Sequence, residues 1–225
     1  MKDIIVKTQV LKKYYYVGNH VVKAIDGIDF EVKKGEFVSI IGKSGSGKST
    51  FLHMIGGLDI PSEGTVIVDD IDLSKMNNEQ MAIFRRRKVG FVFQQYNLIP
   101  DLNVYENITF PLKLDGAYID QQFIQELLKN LNISDKKEMY PTMLSGGEQQ
   151  RVAIARALAI KPAIILADEP TGNLDYENKE KVFNLLKAFN QSGKTVIIVT
   201  HDIELAKKCH KIYQMDQGKL SNYAN

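Results

Sequence analysis

Gly42-Lys43-Ser44-Gly45-Ser46-Gly47-Lys48-Ser49-Thr50 is the stretch that decides how this 225-residue chain is read. Phe37-Val38-Ser39-Ile40-Ile41 comes just before it, a short apolar, β-branched run that predicts a buried strand. Phe51-Leu52-His53-Met54-Ile55 comes just after it and suits the first turns of a helix. Strand, glycine loop and helix in that order give the pattern G-x-x-x-x-G-K-[ST] its physical meaning. The glycines let the backbone approach a phosphate chain and turn several N–H groups inward. The following helix aims its positive end at the same place. Lys48 is expected to reach the β- and γ-phosphates as a point charge, and the Ser49 hydroxyl to ligate Mg²⁺. The alternative is a Gly/Ser-rich turn that binds nothing, and the flanking strand and helix argue against it.

Further along the chain, Val89–Phe93, Ala163–Ala167 and Thr195–Thr200 predict more strands, the last two buried. The second of these ends in Asp168-Glu169. Acidic residues at the carboxyl end of an apolar strand belong at the ligand crevice of a parallel sheet. Asp168 is the natural Mg²⁺ ligand, directly or through water. Glu169 is suited to orient and deprotonate an attacking water, a general-base role worth about 10²–10⁴ in rate. An acidic pair often caps a helix instead, but Pro170 and Thr171-Gly172-Asn173 argue against an immediate helix. The third strand ends at His201-Asp202, which makes His201 a candidate γ-phosphate contact. Leu144-Ser145-Gly146-Gly147-Glu148-Gln149-Gln150 opens another helix. Ser145 and its two glycines form a second candidate anion nest there.

Ahead of the loop, Ile4–Val10, Val21-Val22 and Ile28–Val32 predict short strands with turns at Gly18-Asn19 and Lys34-Gly35, hence a small antiparallel sheet. Tyr14-Tyr15-Tyr16 lies in this region, where Tyr14 and Tyr16 read as amphipathic surface and core residues. One of the three offers a π-face on which a base can stack. After the loop come a strand at Thr65–Val68 and a short helix at Asn77–Phe84. Helices over Asn103–Leu114 and Ile119–Leu131 follow, with Asp115-Gly116 between them. That last pair reads as an all-helical insertion in an α/β framework, and Gln217–Leu220 as a turn entering a final strand.

Composition narrows the function classes. Hydrophobic content of 44% and charged content of 25% are ordinary for a globular domain, and a net charge of +2 gives no reason to expect nucleic acid as a partner. Arg85-Arg86-Arg87-Lys88 reads as a solvated surface run rather than a phosphate clamp. The lone Cys209 builds no disulfide framework and reads as a small packing residue. No apolar run approaches the roughly 18 residues of a membrane-spanning helix. Met1–Lys7 is too short and too broken by charge for a signal peptide, and no regulatory extension is expected after the last strand.

Taken together, these segments resemble the ATP-binding cassette ATPases across essentially the whole chain. Gly42 to Thr50 matches the P-loop, Gln94 the Q-loop glutamine and Leu144 to Gln149 the family signature. Asp168-Glu169 matches the Walker B strand end with its catalytic glutamate, Asn173-Leu174-Asp175 the D-loop and His201 the switch histidine. LSGGEQQR at this distance from a P-loop is specific to the family. Gly90–Pro100, His53–Asp59 and Ala167–Asp175 further resemble its macrolide- and lipoprotein-exporter members. The resemblance implies an α/β fold: a P-loop NTPase core, an N-terminal antiparallel β subdomain and an inserted α-helical subdomain. Residues 1–225 then form a single nucleotide-binding domain. Residues 1–94 and 160–225 make the core with the β subdomain, and about 95–159 the helical part carrying the signature.

The implied ligands are ATP and Mg²⁺. Catalytic roles fall to Glu169, His201, Lys48 and Gln94, and metal contacts to Ser49, Gln94 and Asp168. The nucleotide set comprises Tyr15 at the adenine-stacking position, Val22, Gly42, Ser44, Gly45, Ser46, Gly47, Lys48, Ser49, Thr50 and Gln94, with Ser145, Gly146, Gly147, Glu148 and Asp175. The implied assembly is a head-to-tail homodimer on ATP binding, joined to a separate membrane permease subunit at the cytoplasmic face of the membrane. Tyr96, Leu98 and Ile99 read either as the surface that meets that subunit or as ordinary core. A non-transport, cell-division type of coupler and a soluble repair or translation protein are the competing readings. A repair member needs a long coiled-coil insertion and a translation member two cassettes, and this sequence has neither. A generic small-molecule kinase would lack the signature segment.

Overall fold

The computed structural model describes residues 3–223. The chain runs through β1 (Ile4–Val17), β2 (His20–Lys33), β3 (Phe37–Ile41), α1 (Lys48–Ile55), β4 (Glu63–Val68) and β5 (Ile71–Asp72). It continues through α2 (Asn78–Lys88), β6 (Val89–Val92), α3 (Val104–Leu114), α4 (Gln121–Asn130) and α5 (Gly146–Ala159). β7 (Ile164–Asp168), α6 (Tyr176–Gln191), β8 (Thr195–Thr200), α7 (Ile203–Ala206), β9 (Lys211–Asp216) and β10 (Lys219–Asn222) complete it. The leader reading over Met1–Lys7 includes Met1 and Lys2, which lie outside the described residues.

β3 is buried along its whole length, as a continuous apolar run must be when both faces of its sheet are covered. It lies inside a six-stranded sheet ordered β10-β9-β3-β8-β7-β6, in which β9, β3, β8, β7 and β6 run parallel. Successive side chains on a strand face opposite ways. Ile164, Leu166, Ile197 and Val199 therefore enter the core that also holds α1 and the N-terminal sheet. Ile165, Ala167, Val196 and Ile198 enter the core shared with α3, α4, α5 and α6. The helical segment and the sheet are thus packed into one continuous apolar layer. Phe37 and Phe183 stack within it, ring centres 5.4 Å apart. Among the described residues no helix is long and apolar enough to cross a membrane.

A second sheet, ordered β2-β1-β4-β5, is entirely antiparallel. Here two strands of 14 residues each replace the three short ones that the pattern predicts. The register shifts between Thr8 and Leu11, where Val10 adopts a φ of 45° and its N–H is taken by Asp29 Oδ1 at 2.7 Å. Such a bulge breaks the period of two that the eye follows along a strand.

Three further features depend on tertiary partners. β9 was not expected, because Lys211, Gln214 and Asp216 interrupt its apolar positions; its place beside β3 comes from tertiary pairing. The basic run closes α2 on the surface, with Arg87 exposed, and each of its members finds a partner there. Arg85 donates to the Gly57 carbonyl at 2.7 Å, Arg86 and Arg87 both bind Asp115, and Lys88 pairs with Asp69 at 2.8 Å. Leu98 packs inward on the helical core, and Asn107 pins both backbone groups of Ile99, so this segment is only partly available to a partner.

Candidate active site

β3 delivers the chain into the loop 42–47, and α1 leaves it with Lys48 as its first residue. Gly47 sits at φ 105°, and a Cβ there would fall 2.3 Å from the Ala24 carbonyl oxygen, so a side chain is excluded twice over. Gly42 is equally hemmed in by the Met215 carbonyl, at 2.3 Å from any added Cβ. The loop is thereby clamped between β2 and β9. Lys48 Nζ donates to the carbonyls of Gly42 at 2.8 Å and Lys43 at 3.0 Å, folding the ammonium back over the loop's mouth. Ser46 Oγ is buried and has no hydrogen-bond partner among the described residues. The Ser46 N–H is itself taken by the Lys43 carbonyl at 3.2 Å, and a buried hydroxyl left without an acceptor is a group that a bound anion satisfies.

A cleft of about 1120 Å³ opens over this loop, lined by Ser44, Gly45, Gly47, Lys48, Ser49 and Thr50 on one side. Val22 on β2, together with Gln94, Glu169 and His201, also lines it. Ser49 Oγ donates to Asp168 Oδ1 at 2.9 Å, so Asp168 stands behind the serine, 8% exposed, rather than on the cleft wall. Glu169 takes a φ of 45°, a left-handed conformation that costs roughly 1–2 kcal/mol outside glycine. Its N–H is held by the Val199 carbonyl at 2.9 Å. The bend turns its carboxylate to His201, whose Nδ1 lies 2.9 Å from Glu169 Oε2. A carboxylate and an imidazole from the ends of two adjacent parallel strands thus meet on the wall of the cleft that holds Lys48.

Gln94 follows β6, and its carbonyl accepts from Asn173 Nδ2 at 3.3 Å. The next turn is strained, with Tyr96 at φ 46° and Asn97 at φ 49°. Arg156 of α5 holds it by donating to the carbonyls of Tyr96 at 2.9 Å and Asn97 at 2.5 Å. Burial pulls the Arg156 pKa down to about 10, which leaves it charged at neutral pH.

The remaining expected site residues lie elsewhere. Ser145 caps α5 in a capping box: its N–H and Oγ bind Glu148 Oε2 at 2.8 and 2.7 Å, and its Oγ accepts the Glu148 N–H at 3.4 Å. The carboxylate of Glu148 is therefore engaged in capping α5, and these bonds to Ser145 hold its pKa below the ordinary glutamate value. Asp175 likewise caps α6, accepting the Asn178 N–H at 2.9 Å. None of Ser145, Gly146, Gly147, Glu148 or Asp175 lines the cleft of its own chain. Tyr15 is the cross-strand neighbour of Val22 and stands beside Thr50, just outside the lining. Cys209 is half-buried against the helical core, and burial pushes its thiol up to about 12, so it stays protonated and inert.

Two features escaped the sequence reading. The hairpin of β9 and β10 walls one side of the cleft with Asp216, Gln217, Gly218 and Lys219, and the Gly218 N–H donates to the Ser46 carbonyl at 3.1 Å. Arg156 gave no signal, since the second of the two arginines on α5 carries no motif of its own.

Comparison with known proteins agrees with this geometry. The family model described as ABC transporter matches residues 25–172. The ABC transporter ATP-binding protein MJ0796 of Methanocaldococcus jannaschii is 46% identical over 222 residues, covering 96% of this chain and 94% of that protein. The lipoprotein-releasing system ATP-binding protein LolD of Blochmanniella floridana is 45% identical, covering 95% and 92%. Among solved structures, the dimeric post-hydrolysis state of the MJ0796 cassette bound to ADP and Pi superposes with a TM-score of 0.90 at 43% identity, over 98% of this chain and 100% of that one. This chain belongs to the ABC transporter family, in which it is an ATP-binding, ATP-hydrolysing subunit.

Proposed function

We propose that this chain powers export or extraction of a substrate through a separate integral membrane permease, as a peripheral subunit on the cytoplasmic face of the membrane. Two copies close head to tail around ATP, and hydrolysis lets them part. The relatives named as lipoprotein-releasing ATP-binding proteins favour an exporter of the lipoprotein or macrolide type. The observation that carries the reading is the position of the second nest: Ser145, Gly146 and Gly147 are missing from the lining of the cleft that holds Lys48. A triphosphate left on one chain's loop stays half solvated, whereas a second copy's helix end supplies donors to its open face.

In this reading Lys48 and the loop N–H groups bind the β- and γ-phosphates, and the Ser46 hydroxyl donates to them. Glu169 holds the attacking water and takes its proton, while His201 keeps the Glu169 carboxylate in line and faces the γ-phosphate. Ser49, Asp168 and Gln94 are the residues that would hold Mg²⁺. Among the described residues no cluster of three His, Cys, Asp or Glu could hold a metal by itself. One hydroxyl and one carboxylate fit Mg²⁺, which is bound through few protein oxygens with substrate phosphates and water completing its shell. Its contribution when bound is to neutralise phosphate charge. Gln94, tied to α5 through the turn that Arg156 holds, passes closure to the helical segment and the surface around Tyr96.

Light scattering tests the assembly. With Mg²⁺ and a nonhydrolysable ATP analogue the mass of the purified chain is expected to double. A mass that stays monomeric at saturating analogue would contradict the proposal.

A further inference from the structure

The glycine pair that ends α1 is followed by Leu58-Asp59, and Asp59 has no place in the phosphate site. Its carboxylate nonetheless reaches the N-terminal sheet. Tyr15 donates its phenol O–H to Asp59 Oδ2 at 2.8 Å, and Lys13 Nζ donates to Asp59 Oδ1 at 2.6 Å. The same ammonium donates to the Ile60 carbonyl at 2.8 Å and stands 5.0 Å from the centre of the Tyr15 ring. Asp59 is itself pinned, because Oδ1 accepts the Ile60 N–H at 2.7 Å. The side chains of Lys13 and Asp59 are 14% and 31% exposed, so this ion pair is partly shielded, where charge-assisted bonds are stronger than in open water.

Lys13 and Tyr15 are two residues apart on β1, and although the register shifts between Lys13 and Tyr14, the ammonium stands over the Tyr15 ring. The lysine covers the ring, yet Tyr15 keeps 40% of its surface open beside Val22, which lines the cleft. A tyrosine this exposed on a strand has several rotamers available unless something holds it. Partial burial pushes the Asp59 carboxyl up, but its bonds from Lys13 and Tyr15 outweigh that, and the pKa ends below the ordinary aspartate value. A depressed carboxylate keeps its contacts at neutral pH and loses them only as pH falls through its folded pKa.

We propose that Asp59, with Lys13, is a positioning pair that locks the Tyr15 ring as a stacking platform, so that affinity for the nucleotide base depends on a carboxylate outside the cleft. The proposal rests on Tyr15 being that platform. It separates two parts of the ligand: the base should feel Asp59 and the phosphates should not.

The test is equilibrium binding of two probes to the full chain, a nonhydrolysable ATP analogue and inorganic tripolyphosphate. Asp59→Ala and Tyr15→Phe are each expected to weaken the analogue about three- to tenfold. The double variant should lose no more than either alone, because both remove the same bond. Tripolyphosphate affinity should stay within about twofold throughout. Tyr15→Ala tests the platform separately. If it weakens the analogue while Asp59→Ala and Tyr15→Phe do not, the platform stands and the positioning pair is refuted. If Tyr15→Ala also changes nothing, both readings fall. A parallel loss of tripolyphosphate affinity in Asp59→Ala and Tyr15→Phe would overturn the proposal by showing damage to the phosphate loop.

Discussion

Glu169→Gln is expected to lower ATP turnover by a factor of about 10²–10⁴ while leaving ATP binding intact. Glutamine keeps the size of the side chain and can still meet His201, which lies 2.9 Å from Glu169 Oε2. It cannot accept a proton from water. The left-handed backbone at φ 45° and the bond to the Val199 carbonyl do not involve the carboxylate, so the geometry survives the exchange. Steady-state phosphate release and size-exclusion mass with Mg–ATP together check the outcome. Turnover should collapse and a dimer should accumulate, because the bridging triphosphate is no longer cleaved. Turnover within about tenfold of the parent would remove Glu169 from the base role, since a lost general base costs more than that.

Ser145→Arg is expected to abolish ATP-driven dimerisation and to cut turnover at least about 10²-fold, the scale of losing one donor to developing charge. The substitution fills the mouth of the nest at Gly146 and Gly147. It also removes the cap of α5, which costs about 1 kcal/mol on its own. Ser145→Ala separates the two effects, because it loses the cap without filling the nest. Nucleotide binding by the single chain should persist, since Ser145 does not line that chain's own cleft. Loss of binding in the monomer would contradict the assignment of Ser145 to a partner's nucleotide.

The residues that proved easiest to read are those where one physical demand acts alone. Ile164–Asp168 and Thr195–Thr200 are buried throughout, so their apolar runs needed no partner to be recognised, and the acidic or histidine residue at each end marked the cleft. The loop at 42–47 was legible because its glycines are obligatory: an added Cβ at Gly42 or Gly47 would strike the Met215 or Ala24 carbonyl. Tertiary context hid the rest. The bulge at Val10 divided one strand into apparent pieces, and the mixed polarity of Lys211–Asp216 concealed a strand that braces the phosphate loop. The four-residue basic run reads as surface and lies there, but its acceptors, Asp69, Asp115 and the Gly57 carbonyl, are 19 to 29 residues away and leave no local sign. Arg156 and Asp59 act through a strained turn and a tyrosine ring respectively, and neither connection leaves a local pattern.

The most direct measurement is a crystal structure of the Glu169→Gln chain with Mg²⁺ and ATP. Two copies are expected, each triphosphate lying on the Lys48 loop of one and within about 3 Å of Ser145 in the other, the ordinary length of a hydrogen bond. A nucleotide bound on that loop with Ser145-Gly146-Gly147 distant from every phosphate, in all copies present, would contradict the shared site.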